Sequence, residues 1–92
     1  MSEYITIDFE PADQPNVVQV QTNQTLAPDG REVYTDIDSG DEGSPLAQML
    51  FAIDGVLALT LDGSRMTITY APDCQLFALI DEVRTVLTDF FL

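Results

Sequence analysis

Two alternating runs that meet at Asp62-Gly63 restrict the fold more than any other feature of the sequence. From Val56 to Leu61, Leu57, Leu59 and Leu61 alternate with smaller residues; on the return, Met66, Ile68 and Tyr70 alternate with Thr67 and Thr69. A period of two belongs to a half-buried strand, and Asp-Gly between two such runs is a strong hairpin signal. One face of this hairpin must be covered by other apolar elements.

Those elements can be read on either side of it. Ile5, Ile7 and Phe9 alternate with Thr6, Asp8 and Glu10, Pro11 stops the run, and Val18 and Val20 mark a second strand after the polar turn Asp13-Gln14-Pro15-Asn16. Glu32 to Thr35 can add a short edge strand after the Pro28-Asp29-Gly30 turn. The stretch from Asp36 to Gly43 reads as an acidic loop too polar to carry core. A helix then starts at Ser44, a good N-cap, with Pro45 at the first helical position, where its missing N–H removes no bond. Leu46, Met49, Leu50 and Ile53 recur at i, i+3, i+4 and i+7, and Asp54-Gly55 supplies the exit. After Pro72, with Asp73 as a possible cap, a second helix runs from Cys74 with Leu76, Ile80, Val83, Leu87 and Phe90 on one stripe and Arg84 on the polar side.

The order β-β-(β)-α-β-β-α implies an α+β fold: a sheet of four to five strands, largely antiparallel or mixed, with two helices on one face. Residues 1–92 are expected to form one domain. At this length a chain buries roughly 60–70% of its unfolded surface, enough for one core, and no linker or repeat divides it. Apolar residues make up 46% of the chain, too many for charge-driven disorder.

Charge narrows the partners. Sixteen Asp and Glu stand against three Arg (Arg31, Arg65 and Arg84), with no Lys or His, for a net charge of −13. Nucleic acid and anionic membranes are disfavoured because both require clustered cations; a basic protein surface is favoured, although acidity also keeps a small protein soluble. No run approaches the ~18 apolar residues of a membrane span. With one cysteine and no basic leader before an apolar run, the chain reads as cytoplasmic.

Catalytic and metal chemistry find few side chains. A cluster or structural zinc site takes about four Cys or His ligands, and the chain has one Cys and no His. Cys74, at the expected helix start, is a candidate reactive thiol, but Asp73 beside it opposes thiolate formation, and a small packed residue explains it as well. Placing Asp36 and Asp38 at the first and third positions of a calcium loop brings Gly40 one place early and Ala47 where a Glu is required, so that motif fails. Ser44 has no His or Lys to act as its base, and capping accounts for it. Asn16 after Pro15 either makes a turn locally or meets a partner. Phe91 falls off the helix stripe and is a candidate exposed contact.

The segment from Ser44 to Val56, SPLAQMLFAIDGV, resembles the signature of the N-terminal domain of Nfu-type (NifU-like) iron–sulfur scaffold proteins, carried here by Ser44, Pro45, Leu46, Ala47, Leu50, Phe51, Ile53, Gly55 and Val56. The turn Glu10-Pro11-Ala12-Asp13-Gln14-Pro15-Asn16-Val17 is similar to that family's acidic-Pro-Thr-x-Asn-Pro-Asn run, with Gln14 in place of the first Asn. In the scaffolds a separate Cys-x-x-Cys domain holds the cluster, and these 92 residues contain no such pair. The resemblance therefore implies a non-catalytic, cofactor-free accessory domain. Its expected partner is a protein of the iron–sulfur assembly machinery or one with a basic surface, met through Pro15, Asn16, Asp38, Asp41, Glu42 and Phe91. The alternatives are an acidic decoy for a nucleic-acid-binding surface and weak direct metal binding.

Overall fold

The computed structural model of the protein describes residues 5–28 and 30–91. In chain order they form β1 (Ile7–Pro11), β2 (Val17–Thr22), β3 (Arg31–Tyr34), α1 (Ile37–Asp41), α2 (Pro45–Phe51), β4 (Val56–Asp62), β5 (Arg65–Tyr70) and α3 (Leu76–Phe91). The five strands make one sheet in the order β1-β2-β5-β4-β3. Every pairing is antiparallel, so the sheet is not mixed.

The β4–β5 hairpin lies inside the sheet, and its turn falls one residue later than the sequence suggests. Asp62 pairs with Arg65, which leaves Gly63 and Ser64 as the central residues. Gly63 has φ 60°, and a positive φ at the first central position suits glycine and is the pattern of a type II′ turn. A second correction lies at the other end of β4, where the register shifts between Val56 and Ala58. This bulge inserts one residue, so Val56 points into the core and Leu57, expected inside, is 43% exposed. Leu59 and Leu61 then face inward as alternation requires.

The chain passes from β2 to β3 around the tip of this hairpin. Thr22 donates its N–H to the Ser64 carbonyl (3.0 Å), Leu26 and Ala27 donate to Gly63 (2.7 and 3.3 Å), and Gly63 donates to Gly30 (3.2 Å). The crossing buries Leu26 (3% exposed) and Ala27, core residues in a segment whose composition reads as a polar loop. Two apolar side chains without periodic neighbours carry no strand or helix signal.

The core lies between one face of the sheet and the helices. Val18, Val20, Leu59, Leu61, Met66 and Ile68 from the strands join Leu46, Ala47, Leu50, Phe51, Leu79, Val83 and Leu87 from α2 and α3 in one buried cluster. In α2 the Ser44 hydroxyl accepts the Ala47 N–H at 3.3 Å, as its N-cap role predicts. Its buried face is Leu46, Ala47, Leu50 and Phe51, whereas Met49 is exposed. Ile53, expected on that face, is buried beyond the helix end.

The acidic stretch from Asp36 to Gly43 is not a plain loop. Asp36 caps a one-turn helix by accepting bonds from the Ser39 N–H and hydroxyl, both at 2.8 Å, and this places Gly40 against the Phe51 ring, where any Cβ would clash. Phe51 in turn meets Tyr34 edge-on, with ring centroids 6.1 Å apart. The Tyr34 hydroxyl accepts the Ser44 N–H at 3.2 Å and donates to the Glu32 carboxylate. Polar composition conceals this turn because its contribution to the core is a glycine backbone.

α3 begins at Leu76 rather than Cys74 and buries Leu79, Val83 and Leu87. The two terminal phenylalanines exchange their expected roles: Phe91 packs on the core cluster while Phe90 is 40% exposed. A stripe angle gives direction from the helix axis, but burial also needs a partner opposite. Arg84 is exposed, yet its guanidinium lies 5.6 Å from the centre of the Phe9 ring, tying α3 to β1 by a cation–π contact.

Replacing a buried leucine with alanine removes transfer energy and leaves a cavity, at a cost of about 2–5 kcal/mol. Leu26→Ala is expected to lower the urea unfolding free energy by that amount, whereas Leu57→Ala on the bulge is expected to change it by under about 0.5 kcal/mol.

Candidate functional site

The segment from Ser44 to Val56 builds the fold. Ser44 caps α2, Pro45 opens it, and Leu46, Ala47, Leu50, Phe51, Ile53 and Val56 are all buried. Gly55 has φ 98° and sits directly over the Cys74 thiol, where a Cβ would collide with Sγ. Its carbonyl accepts the Ala71 N–H at 2.8 Å.

The remaining candidates share one end of the sheet without forming one site. The β1–β2 turn and α1 both lie at the end where β4 begins and β5 stops, as the registers require. They stand at opposite corners, however, three to four strand spacings or ~14–19 Å apart. At the first corner Pro15 is exposed and Asn16 has φ 63°, a left-handed conformation that Asn tolerates. The Asn16 carbonyl accepts the Tyr70 N–H at 2.9 Å, so the residue turns the chain and seats it on β5. At the second corner Asp38, Asp41 and Glu42 are exposed on and just after α1, forming an acidic corner. Phe91, half-buried on the core, does not join either.

Cys74 lies two residues before α3 in a turn closed by its N–H to the Ala71 carbonyl at 2.9 Å. The half-buried thiol points at the Asp54 and Gln75 carbonyls, 4.0 and 3.8 Å away. Asp54, Asp73, Asp81 and Glu82 line the depression around it. Among the described residues no three Cys, His, Asp or Glu converge to hold a metal ion, and no helix is long and apolar enough to cross a membrane.

The most organised polar surface is one that sequence reading missed. The face of the sheet opposite the core is exposed, and the four pairings align a row across all five strands: Asp8, Gln21, Arg65, Asp62 and Arg31. All five are exposed. The next row runs Glu10, Gln19, Thr67, Thr60 and Val33. All of these residues but Val33 line a shallow trough of about 620 Å³. Alternation shows which residues face outward, but only the register puts Arg31 and Arg65, distant in sequence, on either side of Asp62.

An antiparallel sheet with its helices on one face and the other face open defines a small α+β domain. By the match of residues 7–92 to the model of the scaffold protein Nfu/NifU N terminal, the chain belongs to that family, which is related to iron–sulfur scaffold proteins. The crystal structure of protein SAV1430 from Staphylococcus aureus superposes with a TM-score of 0.72 at 13% identity, covering 88% of this chain and 96% of that one. The solution structure of a NifU-like protein from Saccharomyces cerevisiae superposes at 0.76 and 21% identity, covering 97% and 82%. At these identities both show the shared fold. No curated protein matches the sequence.

Asp36 supplies a pH test of the α1 corner. The Ser39 N–H, and then its hydroxyl, hold the Asp36 carboxyl below its ordinary value of 3.8, against a small opposing effect of burial. A lowered folded-state pKa gives stability that is present above the unfolded value and lost as pH falls through the folded one. Asp36→Asn keeps a neutral cap, so its thermal midpoint should lie below that of the parent at neutral pH. The gap should close as pH falls below 3.8, followed by circular dichroism.

Proposed function

We propose that the protein is a non-catalytic recognition domain that serves iron–sulfur assembly by binding another protein. Membership of the Nfu/NifU N-terminal family carries the assembly context. The site assigned to recognition is the acidic corner of Asp38, Asp41 and Glu42 at α1, with Pro15 and Asn16 as a secondary contact at the opposite corner. Three carboxylates exposed within one turn of helix and the residue after it suit a partner with a basic surface, and the charge of −13 speeds the encounter with it. With no His or Lys in the chain, the usual bases for nucleophilic chemistry are lacking. An unpaired half-buried thiol suits a reducing compartment such as the cytoplasm.

Capture from a cell lysate on the immobilised domain, with the bound proteins identified by mass spectrometry, tests this function. Iron–sulfur assembly proteins are expected at about 0.1 M salt and should be released near 1 M, where the screening length falls from ~10 to ~3 Å. The triple variant Asp38→Asn, Asp41→Asn, Glu42→Gln should weaken capture about tenfold, since each exposed pair contributes about 0.5 kcal/mol. Capture of nothing related to iron–sulfur assembly at low salt would overturn the function. Undiminished capture by the triple variant would overturn the site.

A further inference from the structure

We propose that the open face of the sheet is a second, separate docking surface, built for a protein segment whose own charges are segregated, acidic at one end and basic at the other. This goes beyond the acidic corner at α1 and does not rest on it, since the trough lies on the side of the sheet away from the core and helices.

The distribution of cations carries the proposal. Of the chain's three arginines, Arg84 lies against the Phe9 ring, and Arg31 and Arg65 both line the trough. In a chain of net charge −13, this one face therefore holds two of the three cations. They flank Asp62 across β3, β4 and β5, giving that wall a net charge of +1. The opposite wall, on β1, bears Asp8 and Glu10 and is purely acidic. Between them the floor is uncharged: Gln19 and Gln21 on β2, Thr67 on β5 and Thr60 on β4. The trough is therefore a dipolar surface, negative at β1 and positive toward β3, and Val33, 54% exposed, adds an apolar contact on the positive side.

That geometry specifies the occupant. A uniformly basic segment would gain at β1 and lose at Arg31 and Arg65; a nucleic acid or an acidic segment would do the reverse. A segment that places carboxylates over Arg65 and Arg31 and ammonium groups over Asp8 and Glu10 gains at both. The charged walls lie two to four strand spacings apart, ~10–19 Å, which a helix spans in about 7–13 residues at 1.5 Å each. Opposite-charge patterns of this kind fix orientation and exclude wrong partners more than they add affinity.

The test is an NMR titration of the ¹⁵N-labelled protein with a synthetic alanine-based helical peptide. It bears a Glu pair near its N-terminus and a Lys pair near its C-terminus, centred about ten residues, or ~15 Å, apart. The controls are a peptide of the same composition with the charges interspersed and one with Lys alone. Saturable shifts at Asp8, Glu10, Gln19, Arg65 and Arg31 with the segregated peptide are expected, with binding to the interspersed peptide at least about fivefold weaker, as two exposed pairs imply. Arg31→Glu with Arg65→Glu should abolish the preference, and Arg31→Gln with Arg65→Gln, a milder change, should reduce it. Equal binding of both mixed peptides, shifts confined to α1, or open-face shifts that grow with protein concentration alone, marking a second copy as the occupant, would each overturn the proposal. Failure of lysate capture would leave this result untouched.

Discussion

The backbone hydrogen bonds around the tip of the β4–β5 hairpin fix the path by which the chain crosses from one side of the sheet to the other. β2 pairs on one side of the hairpin and β3 on the other, so the connection between them has to go round its end, and Gly63 receives it. Glycine there serves the tight turn and also leaves its carbonyl open to two N–H groups and its own N–H to the Gly30 carbonyl. Leu26 and Ala27, buried by the same crossing, replace water on the hairpin's apolar end. Without that crossing β3 would have no route to its edge position, and Tyr34 would not reach Phe51 and Ser44 to anchor α1 and α2.

With every helix on one side, the division of labour between the faces is sharp. The inner face is filled by apolar side chains from strands and helices in one cluster, and no ionisable side chain is buried among the described residues. The outer face and the α1 corner are then free to carry ionised groups at small cost, since exposed charges keep their hydration. An acidic protein of this size tolerates −13 because the repulsion is spread over loops, a helix corner and a sheet face rather than concentrated beside the core.

Much of this arrangement was legible in the sequence. Strand periodicity at Ile7, Phe9, Val18, Val20, Met66 and Ile68 gave the inner face correctly, and Ser44-Pro45 marked the start of α2. The misses share a cause: each depends on a residue's neighbour in space. Leu57 turns outward because of a bulge that alternation cannot show; Leu26 is buried because a loop crosses a turn; α1 hides in acidic residues because what it gives the core is Gly40. The two candidate surfaces divide in the same way. The acidic corner could be read directly from Asp38, Asp41 and Glu42, whereas the row from Asp8 to Arg31 exists only once five strands are in register.

Loops are ordinarily where a fold absorbs insertions and deletions. The segment from Asn23 to Gly30 has the composition of such a loop but not its freedom, because it is bonded to the hairpin tip by Leu26, Ala27 and Gly30 and inserted into the core in between. An inserted or deleted residue in this stretch would therefore draw Leu26 out of the core or break the bonds to the hairpin tip.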